Sequence, residues 1–588
     1  MKLSDYVAEF LAKEKVGHVF VITGGAAVNL IDSIAQNKGL EYICTANEQA
    51  AAMAADAYSR VSENIGVALA TSGPGATNLV TGVCCSYFDS IPTVFITGQV
   101  PRSQLREGYN VRQIGFQETD IAELFSSITK YAAIIKNPED IRKELEKAFN
   151  YARSGRPGPV VLDIPDDVQR AQIDPEKLAG FFPEEKYVRD GLEEYVRRCA
   201  ELIEQAERPV LILGGGIKLA RAQASARNLA ETLKIPTALT WGLMDLLEDD
   251  HPLNIRDFGV AANRAGNFAV QNSDLIVAIG TRLDTHEAGS NFSTFARGAK
   301  KIVVDIDGGE LEKYEKMGMK VDLLGNYDVT DFMGELLKKK IGTRDLSKWT
   351  GKIKEWRNKY PICPASYFMQ QDKVNPYVFM DALSKGSKEG DIVITDAGGN
   401  LTWTMQGFKV KKGQKLFSAF NHSPMGYSLP ASIGAYFASR KPVTCIIGDG
   451  GIQMNIQELA TIAKHNIPVK IFLINNNGYG IIQQTQDTWL QSRYFAANPE
   501  SGVAIPDFVK IAEAYGIKTE KIRNHSELEE GIRRTMDYEK GPVLCDVAVE
   551  QHAKIMPKLE FGNPIEDSSP LLPREEFLQN MIVEPLKK

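Results

Sequence analysis

Ile446–Gly480, IIGDGGIQMNIQELATIAKHNIPVKIFLINNNGYG, sets the frame for the rest of the chain. An apolar run ends in Gly448-Asp449-Gly450-Gly451, a helical pattern follows, and a second apolar run ends in Asn475-Asn476-Asn477-Gly478. Two buried strands joined by one helical crossover lie parallel and side by side, so Asp449 and Asn476 reach the same carboxyl edge, where ligands of such sheets bind. A carboxylate and an amide oxygen are hard ligands suited to Mg²⁺, which bridges protein carboxylates to phosphates. The glycines let backbone amides approach a diphosphate closely. Either half alone is ordinary strand-end turn chemistry; the pair at this spacing points to a metal-bound diphosphate.

The pattern recurs on both sides. Strand–glycine–helix alternation fills the first 170 residues (HVFVITGGAAVNLIDSIA, EYICTANEQAAAMAADAYSR, IGVALATSGPGATNLV, PTVFITGQV, GPVVLDIPDD), and again RPVLILGGGI, SDLIVAIGTRLD and KKIVVDIDGGE. Continuously apolar strands alternating with helices predict parallel sheets covered on both faces. The expectation is therefore an α/β protein of three doubly wound parallel-sheet domains, at 1–170, 190–336 and 372–550, with a proline-bearing tail over 551–588. The first and third share a layout. Linkers are expected from Ala171 to about Arg189 and, lysine-rich and partly helical, from Lys338 to about Gln371.

Composition narrows the function classes. Of 588 residues 43 % are hydrophobic and 24 % charged, which excludes disordered and collagenous chains. A net charge of −7 argues against a general nucleic-acid binder. No apolar run reaches the length of a membrane span, and the polar start MKLSDYVAEFL lacks a secretion signal's apolar core. Seven cysteines without CxxC spacing fit a reducing compartment, so a cytoplasmic enzyme is expected.

GDG followed by NN resembles the thiamine-diphosphate motif. The resemblance extends to the acetolactate synthase-like family through FVITGGAAVNLIDSI, NEQAAAMAADAYSR, TSGPGATN, DSIPTVFITGQV, FQETDI, GRPGPVVLDIP and PMGYSLPASIGA. It implies pyrimidine-binding, central FAD- or nucleotide-type and diphosphate-binding domains, and a homodimer or homotetramer with active sites between subunits. The cofactors implied are thiamine diphosphate, Mg²⁺ and FAD.

By the same resemblance Glu48 is the catalytic carboxylate that hydrogen-bonds the cofactor's aminopyrimidine; by itself it is also a good helix N-terminal acid. Met425 props the cofactor in its bent form, Gly398, Gly399 and Asn400 with Gly448, Gly450 and Gly451 hold the diphosphate, and Asp449, Asn476 and the Gly478 carbonyl hold the metal. Asn400 stands where a relative carries His. Gly25, Phe116, Gln117, Ile482 and Thr485 fall on substrate-pocket positions. Arg156, Gly214, Gly215, Gly216, Thr240, Gly280, Arg282, Asp284 and Asp305 fall on flavin-contacting positions, although His286 and Asn326 replace an expected arginine and aspartate. Alone, the glycine turn after Leu213 lacks the third glycine of a dinucleotide fingerprint.

Thr485 replaces a tryptophan that narrows the acceptor pocket of acetolactate synthases, with Trp489 close behind it. Asp166 and Asn47 replace an expected lysine and histidine. These changes imply that the cofactor machinery is kept and the acceptor differs. The expected function is a decarboxylase/carboligase that takes a 2-oxo acid, pyruvate, and transfers a two-carbon hydroxyethyl or acetyl unit to a carbonyl acceptor. The tail, similar to members encoded with polysaccharide-sugar enzymes, points to a keto sugar. Acetolactate synthase proper and an FAD-dependent pyruvate oxidase are the alternatives. His422, just before Met425, is a candidate proton shuttle.

Overall fold

The computed structural model describes residues 1–183, 189–342, 344–370 and 372–586. The centre of the first expected linker (184–188) and Gln371, at the end of the second, lie outside the described residues.

Three six-stranded sheets carry the chain, and every strand pair in them is parallel. In the first sheet the spatial order is Glu41–Cys44, His18–Val21, Gly66–Ala70, Thr93–Gln99, Val160–Pro165 and Tyr131–Ile134. The third repeats that order with Lys415–Phe417, Ile392–Thr395, Val443–Gly448, Val469–Asn475, Val543–Ala548 and Lys518–Ile522. Both reverse direction between their first and third strands in chain order. The central sheet runs Leu323–Asn326, Lys300–Asp305, Leu275–Ile279, Pro209–Leu213, Thr237–Leu239 and Asn254–Arg256, reversing between its first and fourth strands. Such reversals open a crevice at the strands' carboxyl ends, the binding position of doubly wound sheets. The α/β class read from the sequence is the observed one, and so is the shared layout of sheets one and three.

The inner strands are apolar throughout because helices cover both faces; Gly66–Ala70 and Pro209–Leu213, for example, are buried at every residue. Each fully buried Val, Leu or Ile contributes about 1.5–3 kcal/mol.

The first and third sheets are bound through helices Glu48–Ser62 and Ser428–Ser439. Small residues let the two backbones touch: a Cβ at Gly434 would lie 1.9 Å from the Ala54 carbonyl oxygen. The tail wraps back over the central sheet. Leu559, Ile565 and Phe577 join its core with Phe268 and Trp356, and the buried Glu566 carboxylate meets Arg297 at 2.7 Å. Among the described residues no helix is long and apolar enough to cross a membrane.

Candidate active site

The expected diphosphate residues converge where the third sheet reverses. Strand Ile392–Thr395 leads into Asp396 and Gly398, whose φ of +87° suits glycine, and then into helix Gly399–Gly407. Its neighbour Val443–Gly448 leads into Asp449. Glycine is required at close approaches here: a Cβ at Gly450 would sit 2.3 Å from the Tyr479 ring, and one at Gly451 would sit 2.2 Å from Asp396 Oδ2. Around Gly398, by contrast, nothing lies within 4 Å, so the mouth of the cradle is open.

Asp449 is buried and accepts the backbone N–H of Gly450 at 2.6 Å and of Gly478 at 3.0 Å. Burial pushes its carboxyl up to about 6, against the opposing pull of amides from Gly478, Gly450, Asn477 and Asn476. Asn476 donates its Nδ2 to the Gln551 carbonyl at 3.2 Å, which directs Oδ1 to the other side. The Gly478 carbonyl, the third expected ligand, accepts Gly480 N–H at 3.1 Å. Among the described residues no three His, Cys, Asp or Glu side chains cluster as metal ligands. A cation bound here would therefore rest on one carboxylate, one amide and one backbone oxygen beside phosphate, the mixed hard-oxygen set that Mg²⁺ accepts.

Asn400 does not turn toward this cradle with its donors. Its Nδ2 serves the carbonyls of Asp396 and Ala397 at 3.2 and 2.9 Å, so it braces the loop. Met425 is half-buried between Ser423 and Gly426, both with positive φ, and its Cε comes within 3.1 Å of a Cβ placed at Gly450. Asp396 holds that turn by accepting the N–H of Gly426 at 2.9 Å and of Tyr427 at 3.0 Å. Burial raises its carboxyl to about 7. Sequence reasoning passed over Asp396, whose only signal is its place one residue past a strand in DAGGN.

A second group gathers on the first sheet's reversal. Glu48 opens helix Glu48–Ser62, is 9 % exposed and accepts Asn78 Nδ2 at 3.0 Å. A Cβ at Gly75 would lie 3.3 Å from Glu48 Oε1, and one at Gly73 would lie 2.7 Å from the Gln117 carbonyl. Gly25 follows Gly24, which is pressed against Thr71. Gly25, Thr71–Gly75, Gln117 and Glu48 thus form one rim, with Phe116 84 % exposed beside it. No hydrogen bond or ion pair among the described residues joins Glu48 to Asp449, Asn476 or Gly478; Glu48 is instead bonded to Asn78 within its own domain.

Ile482 and Thr485 lie on helix Gly480–Leu490, directly after the Asn475–Gly478 turn. The Thr485 hydroxyl donates to the Ile481 carbonyl at 2.9 Å, so it is spent on its own helix. Trp489, one turn on along the same face, is 68 % exposed. His422 stacks on Phe88 at 5.5 Å, and burial lowers its pKa, which keeps it neutral at pH 7.

The flavin-type residues line a cavity of about 1620 Å³ between the central sheet and the other two. Arg156, Gly215, Gly216, Thr240, Gly280, Arg282, Asp284 and Asp305 all face it; Gly214 does not, because it packs the two central strands together, a Cβ there falling 2.3 Å from the Gly280 carbonyl. A space this size exceeds the roughly 300–1,000 Å³ of single-ligand clefts, so a dinucleotide fits. The two arginines are engaged within the protein: Arg156 with Asp307 and Glu310 at 2.9 and 2.8 Å, Arg282 with Asp284 at 2.7 Å. His286, in the expected arginine's place, lies 4.0 Å from the Trp241 ring and is held neutral by burial. Asn326 donates to the Asp305 carbonyl at 3.1 Å.

Comparison with known proteins agrees with this layout. Residues 1–124, 196–334 and 396–547 match the models of the N-terminal TPP binding, central and C-terminal TPP binding domains of thiamine pyrophosphate enzymes. The "probable acetolactate synthase large subunit" of Methanocaldococcus jannaschii is 36 % identical over 580 residues, covering 96 % of this chain and 94 % of that one. The "acetolactate synthase isozyme 1 large subunit" of Escherichia coli is 31 % identical over 560 residues, covering 95 % and 96 %. "Acetolactate synthase 1, chloroplastic" of Nicotiana tabacum is 32 % identical over 587 residues, covering 96 % and 84 %. With the glycine cradle and the Asp449–Gly478 turn in the third of these domains and the acid-bearing rim in the first, the chain belongs to the thiamine-diphosphate-dependent, acetolactate synthase-like enzymes, which are of the carboligase and lyase kind.

Proposed function

We propose that the protein is an acetolactate synthase, releasing CO₂ from one pyruvate and joining the remaining two carbons to the carbonyl of a second. The observation that carries this is the Asp449–Asn476–Gly478 turn beside the open Gly398 cradle, in a chain whose acetolactate synthase relatives match it end to end. Thiamine diphosphate, held there with Mg²⁺, supplies the electron sink for decarboxylation. Asp449, Asn476 and Gly478 would hold the metal, Gly398 and the glycines after Gly448 would admit the diphosphate, and Met425 would support the cofactor. Glu48, oriented by Asn78, holds a proton at the ring nitrogen of the cofactor. FAD would occupy the central cavity, where neutral His286, tilted against the Trp241 ring, gives an aromatic rather than a cationic wall.

As the family resemblance implies, Glu48 and Asp449 would belong to different reaction centres, each completed by a second copy. The exposed apolar side chains at the two groups, Phe116 at 84 %, Ile482 at 45 % and Trp489 at 68 %, are those such a contact would cover. One observation favours a second reading with a larger acceptor such as a keto sugar: Thr485 is small, and its hydroxyl is already bonded. Labelled pyruvate, alone and with a panel of ketones, separates the two by product mass. Acetolactate from pyruvate alone supports the synthase; a product formed only with a foreign ketone supports the ligase; flavin bleaching on pyruvate addition supports an oxidase instead.

A further inference from the structure

Arg60 is a buried arginine of the first domain that none of the roles above uses. Its side chain is 8 % exposed and lies between two buried carboxylates, Asp56 at 2.7 Å and Asp89 at 2.8 Å, whose side chains are 0 % and 4 % exposed. Burial penalises the guanidinium charge, yet Asp56, Tyr427 and Asp89 outweigh that penalty, and its pKa lies well above the ordinary value. Ser86 Oγ donates to Asp56 at 2.9 Å and completes the set.

Both acids reach across to one segment of the third domain. Asp89 accepts the backbone N–H of Phe420 at 2.8 Å, the N–H of Asn421 at 3.0 Å and Asn421 Nδ2 at 2.6 Å. Asp56 accepts the Tyr427 hydroxyl at 2.5 Å. The segment so gripped at both ends, Phe420–Tyr427, carries Met425 at its crown, with positive φ at Ser423 and Gly426. Without external ties a loop with two such residues has no reason to hold one shape. Asp396 ties only the Gly426–Tyr427 end; at the Phe420 end the backbone N–H groups of Phe420 and Asn421 are held by Asp89 of the first domain.

We propose that Asp56, Arg60 and Asp89 are positioning residues that clamp the Phe420–Tyr427 loop and thereby set where Met425 meets the cofactor. Asp56 and Arg60 lie on the helix that begins with Glu48, so one rigid element presents the acid at its start and holds the loop of its own chain further on. The clamp also touches the large cavity. Asn421 Oδ1 accepts Arg282 at 2.5 Å while its Nδ2 serves Asp89, and Ser90, next to Asp89, accepts Arg156 Nε at 2.8 Å. A ligand that draws Arg282 or Arg156 away from these partners would act on the anchored end of the Met425 loop.

The inference rests on the thiamine-diphosphate reading, and the test separates the two. Quenching of Trp403, whose ring packs within 2.8 Å of a Cβ placed at Gly399, reports binding of thiamine diphosphate with Mg²⁺ to the full-length protein. No binding to the wild type rejects the cofactor reading itself. With wild-type binding in hand, Tyr427→Phe removes one hydroxyl from a buried ring without a cavity. It should raise the cofactor Kd about tenfold, the worth of a hydrogen bond to a charged group. In a Met425→Ala background the same change should be nearly silent, because the loop no longer has a side chain to place. Asp89→Asn should behave alike from the other end, and Tyr427→Phe decides the matter if Asp89→Asn does not fold. A rise of less than about threefold in Tyr427→Phe, or an equal rise in both backgrounds, overturns the proposal.

Discussion

Asp449 accepts the backbone N–H of Gly478 across two adjacent strand ends at 3.0 Å. The carboxylate that would bind the metal is therefore also what closes the turn supplying the other two ligands. Removing it has two consequences of different size. Asp449→Ala leaves the Gly450 and Gly478 amides without their acceptor, which costs about 1–3 kcal/mol if they stay buried. It also removes the only charged ligand, so retention of Mg²⁺ and thiamine diphosphate should be lost altogether. A folded Asp449→Ala protein, shown by calorimetry, that still binds the cofactor pair at wild-type affinity would contradict the site.

The same carboxyl predicts a pH dependence. Its folded pKa of about 6, like the value of about 7 for Asp396, lies above the unfolded carboxyl value of about 3.9. The native cofactor-free protein therefore binds more protons than the unfolded chain between about pH 4 and 7. The stability these acids contribute is fully present below the unfolded pKa and is lost as pH rises through 6 and 7. Metal binding has the opposite sign, since Mg²⁺ needs the carboxylate. Cofactor-free protein should melt at a higher temperature at pH 5.5 than at pH 7.5. Mg²⁺ affinity should fall as pH drops below 6, with proton release in calorimetry run in two buffers.

The central cavity predicts stabilisation by FAD. A ligand at about 100 times its Kd adds about 2.7 kcal/mol to a folded state, a rise in Tm readily seen. Arg282→Ala removes a cavity cation and releases Asp284 and Asn421, so the rise should disappear while the ligand-free Tm changes little. An FAD-induced shift identical in both proteins would place the flavin elsewhere.

Much of this was legible in the sequence for a physical reason. The inner strands, such as VTCIIG and VKIFLIN, are buried on both faces and so are written as unbroken apolar runs, and turn glycines mark their carboxyl ends. Tyr131–Ile134 and Lys518–Ile522 were not legible: both are edge strands and half-exposed, the first only four residues long and the second mixed in polarity. Thr237–Leu239 and Lys415–Phe417 are three residues long, too short for a pattern. At the site, Asp449 and Asn476 could be placed at one sheet edge, because each directly follows one of two neighbouring parallel strands. The roles of Asp396 and Asp89 could not be read, because their partners lie far along the chain and only packing brings them together; Arg60 with Asp56 reads as an ordinary same-helix pair.

The acceptor pocket turns on helix Gly480–Leu490. Thr485→Trp restores bulk where the helix faces outward, one turn from Trp489. If a large acceptor is the natural one, Thr485→Trp should cut its kcat/KM by about 10–200-fold, the range one pocket group commands, while acetolactate formation from pyruvate persists or rises. Equal losses with both acceptors would mean that Thr485 does not line the pocket.

Glu48 and Asn78 can be separated by their effects. Glu48→Gln keeps size and the tie to Asn78 Nδ2 but cannot hold a proton in exchange with the cofactor ring. Turnover should fall about 10²–10⁴-fold, the span of general acid–base catalysis, with the cofactor Kd nearly unchanged. Asn78→Ala leaves the carboxylate in place and removes the hydrogen bond that aims it, so its loss should be smaller, nearer the roughly 1.5–3 kcal/mol worth of a hydrogen bond to a charged group. The double variant should be no worse than Glu48→Gln alone, since a group that acts only by orienting Glu48 has nothing left to orient. Additive losses would show that Asn78 meets the substrate on its own account.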